Sequence, residues 1–135
     1  MKYEFFEHTA DAKFRAYGRN LEECFANAAE AMTSIIVKPE SVAAKIRKSV
    51  SITGSDLKSL LYSFLEQFLI LLDTDSFVLH NVENISINSA GKKYLLSATL
   101  AGDSSGNYEL DTGIKAVTYN EMEVTESYVQ VVVDI

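Results

Sequence analysis

The apolar residues between positions 21 and 72 recur at helical spacing in two separate runs, and this spacing limits the folds open to the chain. The first run predicts a helix over residues 21–36 and the second a helix over residues 56–72. The first apolar face comprises Leu21, Cys24, Phe25, Ala28, Ala29, Met32, Ile35 and Ile36. The second comprises Leu57, Leu60, Leu61, Phe64, Leu65, Phe68, Leu69 and Leu72. Each helix therefore has one face to bury against another layer.

The expected ends of these helices have recognisable residues. Asn20 followed by Glu23 matches the pattern of a capping box for the first helix. Ser55 is the expected N-cap of the second helix, which we expect to end at Asp73. Pro39 lacks a backbone N–H, so we expect it to mark the end of the first helix.

Strand patterns surround the two helices. Residues 12–18 alternate between apolar and polar side chains, as in a half-buried strand, and a further strand is predicted near 46–53. The second half of the chain has predicted strands near 76–80, 84–90, 93–101, 113–119 and 128–135. These elements predict an α/β (α+β) fold, a two-layer sandwich of a mixed, mostly antiparallel sheet with the two main helices on one face.

The length and net charge of the chain limit the number of domains and the kind of partner that can be expected. At 135 residues it is expected to be a single domain, 1–135. It has 12 basic and 19 acidic residues, for a net charge of −7. Nucleic-acid binders normally present a basic face, so this balance favours a cation or a basic protein surface as partner. We expect any contact with RNA to be indirect.

The compartment is inferred from cysteine content and hydropathy. Cys24 is the only cysteine, which excludes an internal disulfide and a Cys-based zinc site. It lies on the apolar helix face and is expected to be a core thiol. The first residues lack the apolar region of a signal peptide, and residues 64–72 cover about half of the ~20 residues that a membrane helix needs. A cytoplasmic location without membrane attachment is expected.

Three stretches of the chain are similar to the archease family. The first is His-Thr-Ala-Asp at residues 8–11, with the strand and helix that follow it through residue 32. The second covers residues 60–73 and is mainly an amphipathic helix. The third is Gly-Ile-Lys-Ala-Val-Thr-Tyr at residues 113–119, with Asp134-Ile135 at the end. Together they span almost the whole chain.

The resemblance implies a two-layer α/β fold and a protein partner. That partner would be the tRNA-splicing RNA ligase, which joins RNA 3′-phosphate or 2′,3′-cyclic-phosphate ends to 5′-hydroxyl ends. An archease assists the GTP- and metal-dependent guanylylation of a histidine on the ligase and its repeated turnover, and is not itself an enzyme. Two alternatives remain open: a metal-dependent phosphate-ester hydrolase that uses Asp11 and Asp134, and a general chaperone or modulator of RNA-modifying enzymes.

The resemblance also implies a divalent metal site. The family's metal, often calcium, maps onto the side chains of Asp11 and Asp134 and the main-chain carboxylate of Ile135, and magnesium or manganese would also suit it. Oxygen ligands of this kind suit hard cations. Because the set contains no thiolate and no histidine, it argues against zinc or copper. Without the resemblance, isolated aspartates at strand ends would be read as solvated or as turn caps.

Further residues are assigned by the same resemblance. Lys115 matches the lysine of the family's Lys-Ala motif, and a contact with phosphate or with the ligase is expected there. His8 is expected to bond a loop near the partner-contacting surface, in preference to acting as a catalytic acid or base. The chain departs from the family in having Asn120 in place of a histidine and Phe64 in place of a tryptophan. The aromatic residue that is common near the family's last strand appears here as Tyr128. Asn120 cannot carry a proton, so no proton transfer is expected at that position.

Overall fold

Two α-helices and eight β-strands make up the fold in the computed structural model, which describes residues 1–135. The helices are α1 (Leu21–Ile36) and α2 (Leu57–Asp75). The strands are β1 (Tyr3–Phe6), β2 (Asp11–Tyr17), β3 (Ile46–Gly54), β4 (Phe77–Ala90), β5 (Lys93–Ser104), β6 (Ala116–Val117), β7 (Glu123–Val124) and β8 (Tyr128–Asp134). Short 3-10 turns lie at Pro39–Ser41 and Ser105–Asn107.

The strands form two antiparallel sheets. The first has the order β1-β2-β8-β6, with β7 also paired to β8, and the second has the order β3-β5-β4. Every pairing is antiparallel. Both helices contact strands of both sheets. The predicted fold class is therefore confirmed, and the division of the strands into two sheets is a feature that periodicity did not indicate.

The helix starts differ in detail from the predictions. The Asn20 side chain accepts a hydrogen bond from the Glu23 N–H at 2.8 Å, but the Glu23 carboxylate bonds Arg19 and not the Asn20 N–H, so the capping box is half formed. The N-cap of α2 is Asp56 and not Ser55. The Asp56 carboxylate accepts from the N–H of Ser59, whose hydroxyl accepts in return from the Asp56 N–H. A carboxylate is also the better cap beside the positive end of a helix.

Three boundaries also differ. Helix α2 continues past Asp73 to Asp75 and ends at Ser76, which has a left-handed backbone with φ of 51°. The two strands predicted within 76–90 are one strand, β4, whose pairing with β5 has two register irregularities. Of the strand predicted at 113–119, only Ala116–Val117 forms a strand paired with β8, although the N–H groups of Lys115 and Thr118 on either side also donate to β8 carbonyls.

The hydrophobic core lies between the two helices and the two sheets. Cys24 is fully buried there, as predicted for a core thiol. Phe64 is also fully buried, with its ring 6.2 Å from that of Phe25 and 5.1 Å from that of Phe68. The phenylalanine that replaces the family's tryptophan is therefore a packing residue. Neither helix has the combination of length and apolar character needed to cross a membrane.

Gly102 allows the close approach of β5 to the irregular part of β4. A Cβ added there would clash with the carbonyl oxygen of Val78 and would lie 2.6 Å from Cζ of Phe77. Because that backbone cannot move without breaking the pairing, we expect Gly102→Ala to lower the free energy of unfolding by about 1–3 kcal/mol. Urea unfolding followed by circular dichroism measures this change.

The matched control is Gly106→Ala, because a Cβ at Gly106 meets no atom within 4 Å. Its unfolding free energy should stay within about 0.5 kcal/mol of the unsubstituted protein. Equal stabilities for the two variants would contradict the close approach at Gly102.

Candidate functional site

The pairing of β2 with β8 brings the two predicted aspartates together. Asp11 lies directly opposite Asp134 in this antiparallel pair. Side chains of directly opposed residues project from the same face with their Cβ atoms roughly 4.5–5.5 Å apart. Both residues are partly buried. Two acidic side chains separated by almost the whole chain thus become neighbours on the first sheet.

The apolar residues of the same strands determine this register. Phe14 pairs with Val131 and Ala16 with Val129, and all four side chains are buried against the helices. A shift of one residue would turn these side chains out of the core. The packing of the core therefore dictates that Asp11 meets Asp134 on the opposite face.

His8 lies beside Asp11 and bonds a distant loop. Its Nε2 is 2.9 Å from Oε2 of Glu121, and its Nδ1 is 3.4 Å from Oδ2 of Asp11. The Nδ1 atom is buried and makes no hydrogen bond. The side chain as a whole is 22% exposed, so the ring is held in place and remains reachable from solvent.

Glu121 connects His8 to Lys13. Its two carboxylate oxygens bond separate partners, Oε2 at His8 and Oε1 at the Lys13 ammonium, 3.0 Å away. Hydrogen bonding by His8 and then by Lys13 lowers the pKa of Glu121 below its ordinary value. Its backbone is left-handed, with φ of 54°. The buried Gln130 amide donates to the Glu121 carbonyl at 2.7 Å and holds this unusual conformation.

Ile135 and Lys115 flank the aspartate pair through the main chain. The Lys115 N–H donates to the Asp134 carbonyl at 2.7 Å, and the Ile135 side chain packs against the core. The Lys115 side chain is exposed and forms no ion pair; it borders depressions on α2 together with Leu69 and Asp73. The structure thus separates the Lys115 ammonium from the depression that His8 and Asp11 line.

The donor groups fit a divalent cation in part. Asp11 and His8 line an open depression of about 670 Å³ with Thr9, and Nδ1 of His8 faces Oδ2 of Asp11 at 3.4 Å without a hydrogen bond. No three side chains of His, Cys, Asp or Glu converge closely enough to hold a metal by themselves. A cation would therefore need main-chain oxygen atoms in addition, such as that of Ile135.

Two residues of this cluster were missed by sequence reasoning. Lys13 lies in the strand predicted at residues 12–18 and was given no role in a site, and Glu121 was not considered. The side chain of Glu121 meets that of His8 across a separation of 113 positions, so no local pattern points to the contact. Asn120, at the position of the family's histidine, is exposed, and its N–H donates to the Thr118 hydroxyl at 3.3 Å.

Comparison with known proteins finds relatives that match this α+β chain over most of its length. The Archease protein family (MTH1598/TM1083) matches residues 3–135. A protein archease of Methanosarcina mazei is 39% identical over 140 residues, covering 99% of this chain and 96% of that one. A protein archease of Pyrococcus abyssi is 37% identical over 125 residues, covering 91% and 87%. The solution structure of Methanobacterium thermoautotrophicum protein 1598 superposes with a TM-score of 0.83 at 32% identity, covering 99% of each chain.

The chain belongs to the archease family. The family match covers nearly all of its residues, and the relatives are similar over most of their own lengths. The resemblance inferred from the three motifs is therefore confirmed. Membership supports a role as a protein cofactor or modulator of another protein.

We expect the opposed carboxylates to cost stability when no cation is bound. Like charges directly opposite each other in a sheet are destabilising. In EDTA, Asp134→Asn should therefore raise the unfolding free energy by up to about 1 kcal/mol and the Tm by up to about 4 °C. Excess calcium or manganese should reverse the order, because only the unsubstituted site gains binding energy. Differential scanning calorimetry measures both conditions.

The control is Asp111→Asn, which removes the same charge from an exposed side chain that makes no hydrogen bond or ion pair. The difference in Tm between this variant and the unsubstituted protein should be the same in EDTA and in excess cation. If Asp134→Asn lowers the Tm in EDTA below that of the control, the carboxylate makes a net favourable contact and the repulsion is absent.

Proposed function

We propose that this protein activates a GTP-dependent tRNA-splicing RNA ligase. It would promote guanylylation of the ligase and repeated turnover in tRNA splicing or RNA repair, and it would join no RNA itself. The observation that carries the proposal is the archease match over residues 3–135, together with the aspartate pair that the β2–β8 register forms from Asp11 and Asp134. The net charge of −7 supports docking on a basic protein surface, with RNA reached only through the ligase.

A divalent cation is part of the proposal. The side chains of Asp11 and Asp134 and a main-chain oxygen of Ile135 would hold it. Calcium is the first expectation, and magnesium or manganese would suit the same oxygen atoms. The bound cation would neutralise the carboxylates and hold the ends of β2 and β8 in one arrangement. The partner would then meet a fixed surface at the end of the first sheet.

Lys115 and His8 have distinct proposed roles at this surface. The Lys115 ammonium is exposed and unpaired, so it is free to contact a phosphate or an acidic group of the ligase. His8 is tied to Glu121 and contributes through the loop that it orders. Asn120 has no titratable group, so the proposed activation includes no proton transfer at that position.

Ligation under multiple turnover tests the proposal. A trace of this protein should raise the number of RNA joints formed per ligase. Asp11→Asn and Asp134→Asn should each reduce that activation at least about tenfold, a loss typical of weakening a metal site. The readouts are joined RNA over time and the amount of guanylylated ligase.

Asp111→Asn is again the control and should activate normally. Normal activation by both aspartate variants would overturn the metal site. Ligation or phosphate-ester hydrolysis by the purified chain alone would overturn the cofactor role in favour of an enzyme.

A further inference from the structure

Tyr119 has the most exposed aromatic side chain of the protein, with 53% of its surface accessible to solvent. One face of its ring is nevertheless held in place. It stacks on Tyr62 of α2, with the ring centroids 4.5 Å apart and the two planes inclined by only 8°. Tyr62 is itself half-buried and packs against the core. An exposed ring that is already fixed loses little conformational freedom on binding, which is why tyrosine is a frequent anchor of protein interfaces.

Other partly exposed rings of this protein are covered by a cation of the same chain. The Arg15 guanidinium lies 5.6 Å from the ring centroid of Phe6 and 4.6 Å from that of Tyr128. No lysine or arginine lies at such a distance over either ring of the Tyr62–Tyr119 pair. The solvent-facing side of Tyr119 is therefore open to a ring-binding group from another molecule.

Acidic side chains surround this stacked pair. Burial raises the pKa of Tyr119, and the charges of Tyr62, Asp56 and Glu66 raise it further. Glu66 follows Tyr62 by one helical turn and forms no ion pair within the chain. Lys58 precedes Tyr62 by one turn but does not lie over either ring. The electrostatic surroundings of the open ring face thus favour a positively charged ligand.

These surroundings favour an arginine side chain over a nucleobase. A nucleobase also stacks on tyrosine, but the phosphate that accompanies it would meet Asp56 and Glu66 on a chain of net charge −7. A guanidinium is planar, so it can stack on the ring and donate hydrogen bonds to a carboxylate at the same time. Ile70, one turn beyond Glu66 and exposed on α2, offers apolar surface to the aliphatic stem.

We propose that the stacked pair of Tyr62 and Tyr119, with Glu66 beside it, is a docking site for an arginine side chain on the basic surface of the partner protein. The guanidinium lies flat on the outer face of Tyr119, and the Glu66 carboxylate accepts its hydrogen bonds. The inference rests on the proposed function for the identity of the partner, the ligase, and it adds a specific contact by which that partner is held.

Affinity for the ligase, measured by isothermal titration calorimetry, tests the contact. Tyr119→Ala should weaken binding at least about tenfold, as expected for an interface anchor. Tyr119→Phe retains the ring face and should bind within about threefold of the unsubstituted protein. Glu66→Gln should weaken binding about two- to fivefold, as for an exposed ion pair. The control is Leu110→Ala, which truncates another exposed apolar side chain and should leave the affinity unchanged. Circular dichroism checks that each variant is folded.

A titration with small ligands tests the arginine preference without the ligase and without any substitution. The probes are an acetylated glycine–arginine–glycine amide, the same peptide with neutral citrulline in place of arginine, and guanosine monophosphate. In a nuclear magnetic resonance spectrum of the protein, the arginine peptide should shift the ring signals of Tyr62 and Tyr119 more than any other aromatic signals. The citrulline peptide should not. A larger response of these rings to guanosine monophosphate would overturn the inference in favour of a nucleobase site.

The outcomes separate this inference from the proposed function. A ligase that is activated, and that binds Tyr119→Ala as tightly as the unsubstituted protein, would overturn the docking site and leave the proposed function in place. A ligase that neither binds nor is activated would overturn the proposed function. The peptide titration then decides the docking site by itself, and rings of Tyr62 and Tyr119 that respond equally to the arginine and citrulline peptides would overturn it as well.

Discussion

The pairing of β2 with β8 is the contact on which the candidate site depends. Phe14 and Ala16 enter the core from one strand and Val129 and Val131 from the other, and these buried side chains permit one register. In that register Asp11 faces Asp134 on the opposite side of the sheet. The hydrophobic effect thus offsets the repulsion between two carboxylates, because the core gains far more from the register than the acidic pair loses.

The loop between β6 and β7 completes the cluster around this pair. Met122 is buried in the core, and the left-handed backbone of Glu121 is held by Gln130. With its main chain anchored on both sides, Glu121 can direct its carboxylate to His8 and Lys13. The result is a chain of contacts from the loop through the imidazole to Asp11. A histidine at position 120 is not needed for that chain, because Asn120 takes no part in it.

The periodicity of apolar residues predicted the features that depend on local spacing. It did not predict the features that depend on contacts between distant segments. The helix faces and the burial of Cys24 follow from residues a few positions apart, so they were accessible to a pattern. The two-sheet division and the short β6 depend on which strands meet, which alternation does not specify. The family motifs indicated Asp11 and Asp134. They could not indicate Glu121, because its contact with His8 joins distant segments of the chain.

The most direct test of this account is where a bound cation sits. Substoichiometric Mn²⁺ broadens the amide signals of nearby residues in a ¹⁵N nuclear magnetic resonance spectrum. If one cation joins the ends of β2 and β8, signals from residues 8–12 and 133–135 should broaden first, while Gly91 at the far hairpin turn should stay sharp. Broadening centred on the acidic residues of α2, such as Glu66 and Asp73, or spread evenly over the chain, would contradict a site built by the Asp11–Asp134 register.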